Sequence, residues 1–85
     1  MYKDLPYEFI IQGDSMKISY KKLWKLLVDK KMSKADLRKA VGMAPNTLTK
    51  MRKDEPVAME TIIRICECLN CDICDVMELV RIEAV

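Results

Sequence analysis

Asn46, Thr49, Lys50 and Lys53 are the side chains best placed by type and spacing to do chemistry on a partner. At about 100° per residue, the spacing i, i+3, i+4 and i+7 puts them on one face of a helix. An amide on such a face pairs with an adenine edge, and an ammonium reaches guanine or a phosphate. Ala44, Leu48 and Met51 fall on the opposite face and offer an apolar underside to a core. An ordinary solvated helix face has the same periodicity, so the pattern alone leaves both readings open.

A second cluster is C-x-C-x2-C-x2-C, formed by Cys66, Cys68, Cys71 and Cys74. Four thiolates so close could hold zinc tetrahedrally or ligate an iron–sulfur cluster. On a helix, however, Cys66 and Cys68 lie about 200° apart, so their sulfurs diverge. Cys66 also falls on an apolar stripe, where a reduced cysteine acts as a small hydrophobe. Free structural thiols without a metal are expected; a metal or redox sensor and a disulfide are the alternatives. Catalysis has little to draw on. The chain has no histidine, no glycine-rich phosphate loop and no nucleophile elbow, so neither an enzyme nor a cofactor is expected.

The elements that must position the polar row are legible on either side of it. Ser33, with Asp36 three residues on, has the form of a reciprocal N-cap. Leu37, Ala40 and Val41 then make one apolar stripe, and Gly42 ends the helix in a left-handed conformation. Pro45 opens the next helix, about Pro45–Arg52, because a missing N–H costs nothing at that position. An earlier helix runs from about Ser19, as cap, to Lys30. Tyr20, Leu23, Trp24, Leu27 and Val28 form its apolar stripe, and Trp24 is expected in the core. Lys21, Lys22, Lys25 and Lys30 cover its other side. A fourth helix spans about Met59–Leu69, carries Ile62, Ile65, Cys66 and Leu69, and stops at Asn70. Asp72 caps a fifth helix, where Ile73, Val76, Met77 and Val80 repeat the stripe.

Eighty-five residues, 51% hydrophobic with two glycines and few aromatics, suit one small all-α domain. No apolar run reaches membrane-span length and no secretory signal is visible. The net charge of +2 hides a strong polarity: residues 16–53 carry +10, residues 54–85 carry −6 and residues 1–15 carry −2. Positive potential concentrated on one half suits a phosphate-facing surface. Residues 1–15 are read as an N-terminal extension: an ordered arm, a tail or a cloning remnant. Tyr7 to Ile11 are weakly strand-like, and Gly13-Asp14 reads as a turn. Ile82 and Val85 have no obvious internal partner, which fits a dimer seam or a frayed end.

Over about Ser19 to Glu78 the chain resembles the Cro/phage-repressor (Xre-type) helix-turn-helix domains. The matching pieces are SKADLRKAVGM, NTLTKM, EPVAMETIIRICECLN and CDICDVMEL, in the order and spacing of that family's helices two to five. The resemblance implies an all-α, five-helix, lambda-repressor-like domain with the helix-turn-helix at helices 2–3. It implies a cytoplasmic, bacterial or phage-encoded, sequence-specific regulator that binds double-stranded DNA as a homodimer on a pseudo-palindromic operator. Asn46, Thr49 and Lys50 would then contact bases, and Lys34, Thr47 and Lys53 phosphates. A protein-interaction module on the same scaffold, antitoxin-like or anti-repressor, is the alternative. Departures fall at the readout positions. Lys34 stands where a Gln is usual, Ala44 where Ser or Thr caps, Pro45 at a position that often reads bases, and Arg52 and Asp54 where Glu and Gly are common.

Overall fold

The computed structural model describes residues 15–82; the expectations for residues 1–14 and for Val85 concern residues outside that range. The elements run β1 (Ser15–Ser19), α1 (Lys21–Asp29), α2 (Lys34–Val41), α3 (Pro45–Arg52), α4 (Met59–Leu69), α5 (Ile73–Val76) and β2 (Glu78–Ile82). The expected five helices are present. The all-α expectation needs correcting, because β1 and β2 pair antiparallel, with Met16 opposite Arg81 and Ile18 opposite Leu79. The fifth helix is likewise four residues long and does not continue through Val80. Met77 is already extended (φ −144°, ψ 161°), and Val80 belongs to the strand. The helical stripe Ile73, Val76, Met77, Val80 is therefore coincidental beyond Val76. Five residue pairs with β1 draw the chain out instead.

Each helix contributes to one core. Leu23 and Leu27 come from α1, Leu37 from α2, Met51 from α3, Ile62, Ile65 and Leu69 from α4, and Val76 from α5. Tyr20 and Met43, both in junctions, complete it. Helix α1 packs on α5, and α4 packs on α2 and α5, so α3 is carried at the edge of the bundle by its contact with α2. Ile18 and Met77 rest on the core and connect the two-stranded ribbon to it, support that an isolated ribbon would lack. Lys22 Nζ lies 3.7 Å from Glu78 Oε1, an exposed pair between α1 and β2 worth at most about 1 kcal/mol.

The helix ends share one device. The N–H of Met32 donates to Leu27 O (2.9 Å), Met43 to Arg38 O (3.1 Å), Glu55 to Lys50 O (2.9 Å) and Cys71 to Cys66 O (3.0 Å). Each bond spans five residues and closes its helix over a residue in the left-handed region. Those residues are Lys31 (φ 58°), Gly42 (φ 77°), Asp54 (φ 59°) and Asn70 (φ 52°). Only one of the four is glycine. At Gly42 an added Cβ would meet nothing within 4 Å, so the need for glycine there is its φ alone.

Tyr20 ties this arrangement together. It separates β1 from α1 and is 1% exposed. Its hydroxyl donates to Glu55 O at 2.9 Å, and its N–H donates to Asp54 Oδ1 at 3.2 Å. Both bonds reach the loop that follows α3. Ser19, expected to cap α1, does accept from Lys21 N–H (3.3 Å), but Tyr20 occupies the cap position and makes no side-chain cap bond. Burial, and secondarily the Asp54 charge, raises the Tyr20 phenol above its ordinary value. A raised phenol keeps its proton in the folded state, so its contribution to stability is complete below about pH 10 and declines as the pH rises beyond that. Tyr20→Phe should lower stability by about 1 kcal/mol, read as a lower urea midpoint at unchanged slope. The variant should also show a shallower loss of stability above pH 10, and an unchanged midpoint would show that the hydroxyl bond contributes nothing.

Candidate nucleic-acid interface

Helices α2 and α3 form the two arms of a helix-turn-helix, and each start is built locally. Asp36 N–H donates to Ser33 Oγ and Ser33 N–H donates to Asp36 Oδ2, both at 3.0 Å, completing the expected capping box. The bonds to Ser33 hold the Asp36 carboxyl below the usual carboxylate range. Gly42 then turns the chain, and Met43 inserts into the core as the apolar residue following the closure. Pro45 takes the first helical position of α3. Ala44 before it offers no side-chain cap, the departure seen in the sequence.

The two faces of α3 separate as their spacing predicts, with Met51 fully buried and Leu48 half-buried. Ala44 is exposed and does not help anchor the helix; Ala40, on the expected stripe of α2, is exposed too. Asn46, Thr49, Lys50 and Lys53 are all exposed, and Thr47 is half-buried. Thr49 Oγ1 donates to Pro45 O at 3.1 Å, so its proton is engaged within the helix. Its remaining capacities are acceptance at the lone pairs and apolar contact through the methyl. Thr47 N–H donates to Ala44 O at 3.0 Å, leaving its hydroxyl, and not its amide, for a phosphate.

Sequence reasoning missed two participants. Trp24 is only half-buried, and Lys34 Nζ sits 4.3 Å from its ring centroid. The indole thus holds the first residue of α2 against α1 by a cation–π contact worth about 0.5–1 kcal/mol at an exposed site. The pairing joins residues ten apart on different helices, so no helical periodicity could show it. Asp54 is the other: it adopts the left-handed conformation that ends α3 while its carboxylate accepts from Tyr20 N–H. A glycine would satisfy the turn but not the bond. The cysteines divide, with Cys66 and Cys71 half-buried on the core and Cys68 and Cys74 exposed, all four as free thiols. Among the described residues no three His, Cys, Asp or Glu side chains converge to hold a metal ion, and no helix is long and apolar enough to cross a membrane.

The double role of Asp54 predicts an order of stabilities. Asp54→Ala loses the bond to Tyr20 and places an alanine at φ 59°, a destabilisation of about 1–3 kcal/mol. Asp54→Gly loses the bond but relieves the backbone and should fall between alanine and wild type. Urea denaturation of the three proteins checks this, and a glycine variant no better than alanine would refute the conformational part.

A crystal structure of the transcriptional regulator VanUg, form II, superposes on this fold with a TM-score of 0.77. It is 46% identical in sequence, and the match covers 82% of this chain and 91% of that one. No curated protein sequence matches the chain. The model of the Cro/C1-type helix-turn-helix DNA-binding domain family matches residues 22–81, from α1 into β2. With the turn at Gly42, the anchored α3 and this match over most of its length, the chain belongs to the Cro/C1-type helix-turn-helix family.

Proposed function

We propose that the protein is a sequence-specific transcriptional regulator that binds duplex DNA, with α3 lying in the major groove. The observation that carries this reading is the division of α3. Asn46, Thr49, Lys50 and Lys53 face solvent in one row while Met51 on the other side is fully buried. Asn46 is suited to the bidentate pair with adenine, and Lys50 to guanine O6 and N7. Thr49, its proton held by Pro45 O, accepts from an exocyclic amino group or packs its methyl on thymine. Lys53, Lys34 and the Thr47 hydroxyl contact phosphates and set the register. Lys34 does so from its indole platform, which limits the entropy lost on binding. The excess of basic residues in 16–53 supplies the sequence-independent attraction. Two copies related by a two-fold axis would read a pseudo-palindrome with half-sites about one turn apart. That a solved relative at 46% identity is a transcriptional regulator supports the regulatory role.

A second reading, a protein-interaction module on this scaffold, draws on Met59 and Ile63, each more than half exposed on α4. Retention on duplex DNA that falls steeply with salt favours the first reading. Indifference to DNA together with a defined protein complex favours the second.

The DNA reading makes two separable predictions. Asn46→Ala should weaken binding to the selected operator by about 1–3 kcal/mol and leave random duplex unaffected. Lys53→Ala and Lys34→Ala should each weaken all duplexes alike and flatten the salt dependence by about one unit. Operator selection from a random duplex library followed by titration at several salt concentrations measures both. Equal losses on operator and random DNA for Asn46→Ala would remove its base-reading role.

A further inference from the structure

The closure at the end of α4 places two nucleophiles side by side. Asn70 takes the left-handed conformation, and Cys71 N–H donates to Cys66 O at 3.0 Å. In this motif the side chains at the two ends of the long hydrogen bond meet, commonly as an apolar contact. At the end of α1 the same positions hold Leu27 and Met32, both packed in the core cluster. At the end of α4 they hold Cys66 and Cys71, both packed against the edge of the core. Neither is sealed from solvent. Both are half-buried and line one apolar groove with Met59, Ile62, Ile63 and Ile73.

We propose that Cys66 and Cys71 form a dithiol site for a single trivalent, thiophilic centre of the organoarsenous class. Two sulfurs on one backbone closure bind such a centre as a chelate, because after the first bond the second is intramolecular. Soft sulfur ligands favour a soft centre. Burial, aided by the nearby acidic residues, raises both thiols above their ordinary value, so they carry their protons at neutral pH. A dication needs thiolates; an arsenous oxide condenses with neutral thiols. Two arsenic–sulfur bonds form and the arsenic–oxygen bond breaks. The two thiol protons leave with that oxygen as one water, and no electrons are transferred. The organic substituent would occupy the apolar groove. Cys68 and Cys74, both exposed, are the internal controls.

The test is titration of the reduced full chain with phenylarsine oxide, followed by intact mass and by maleimide footprinting with peptide mapping. One equivalent should bind, protecting Cys66 and Cys71 while Cys68 and Cys74 are alkylated. Cys66→Ser or Cys71→Ser should weaken binding by about a hundredfold or more, the usual scale of a lost chelate, whereas Cys68→Ser and Cys74→Ser should bind as wild type. The wild-type footprint decides the matter even if a serine variant folds poorly. No adduct, protection of a different pair, or undiminished binding by Cys66→Ser or Cys71→Ser would overturn the assignment. DNA retention of the unmodified chain is a separate measurement, so its failure would not bear on this site.

Discussion

The placement of α3 depends on the pair of hydrogen bonds that Tyr20 makes to the loop behind it. A helix of eight residues does not hold itself together in water, and α3 has neither a side-chain N-cap nor a long packing surface. Three attachments fix it. Met43 enters the core just before it, Met51 is buried beneath it, and Tyr20 holds Glu55 and Asp54 just after it. The third is the long-range one, because Tyr20 lies more than thirty residues away in sequence. It also begins α1 directly after β1, so a single buried ring couples the ribbon, the first helix and the exit from the third. Among the described residues no buried side-chain polar atom lacks a partner, and the Tyr20 phenol has Glu55 O.

The remaining economy of the fold lies in its helix ends. Four closures of one kind allow four helices to be joined by short turns in a chain with two glycines. Left-handed backbone at Lys31, Asp54 and Asn70 costs free energy that glycine would not. Compensation is visible at Asp54, whose carboxylate has a partner, and Asn is a residue that tolerates this region readily. Such a closure brings side chains five residues apart to the same end of the helix. At α1 the pair, Leu27 and Met32, extends the core; at α4 the pair is two cysteines at the edge of it.

The polar row of α3 and the buried row beneath it are held apart by the same geometry. Core positions carry the stability, while Asn46, Thr49, Lys50 and Lys53 are exposed and stand outside the core. Their identities are therefore free to answer to a partner. The capping box directs the start of α2, and the Trp24 ring holds the Lys34 ammonium in place beside it. The basic residues lie mainly in α1 to α3 and the acidic ones mainly from the end of α3 onward, so charge and helix geometry point to the same half of the molecule.

What the sequence determined by itself is whatever depends on neighbours a turn or two away. The Ser33–Asp36 cap, the Asp72 cap, the stop at Gly42, the proline at the start of α3 and the Ile62, Ile65, Leu69 stripe all follow from local rules and are all present. The opposition of Met51 to Asn46 and Lys50 was legible for the same reason. Only the tertiary structure decided matters that turn on distant partners. Val80 continues the helical spacing of Ile73, Val76 and Met77, yet residues 78–82 form a strand because β1, some sixty residues away, pairs with their backbone. Trp24 packs at the edge of the core and is also a platform, because the start of α2 reaches it with a lysine. Asp54 can stand in for glycine because Tyr20 supplies a donor. In each of these cases the deciding group was an unpaired donor, acceptor or ring face, and periodicity carries no record of where such groups will be met.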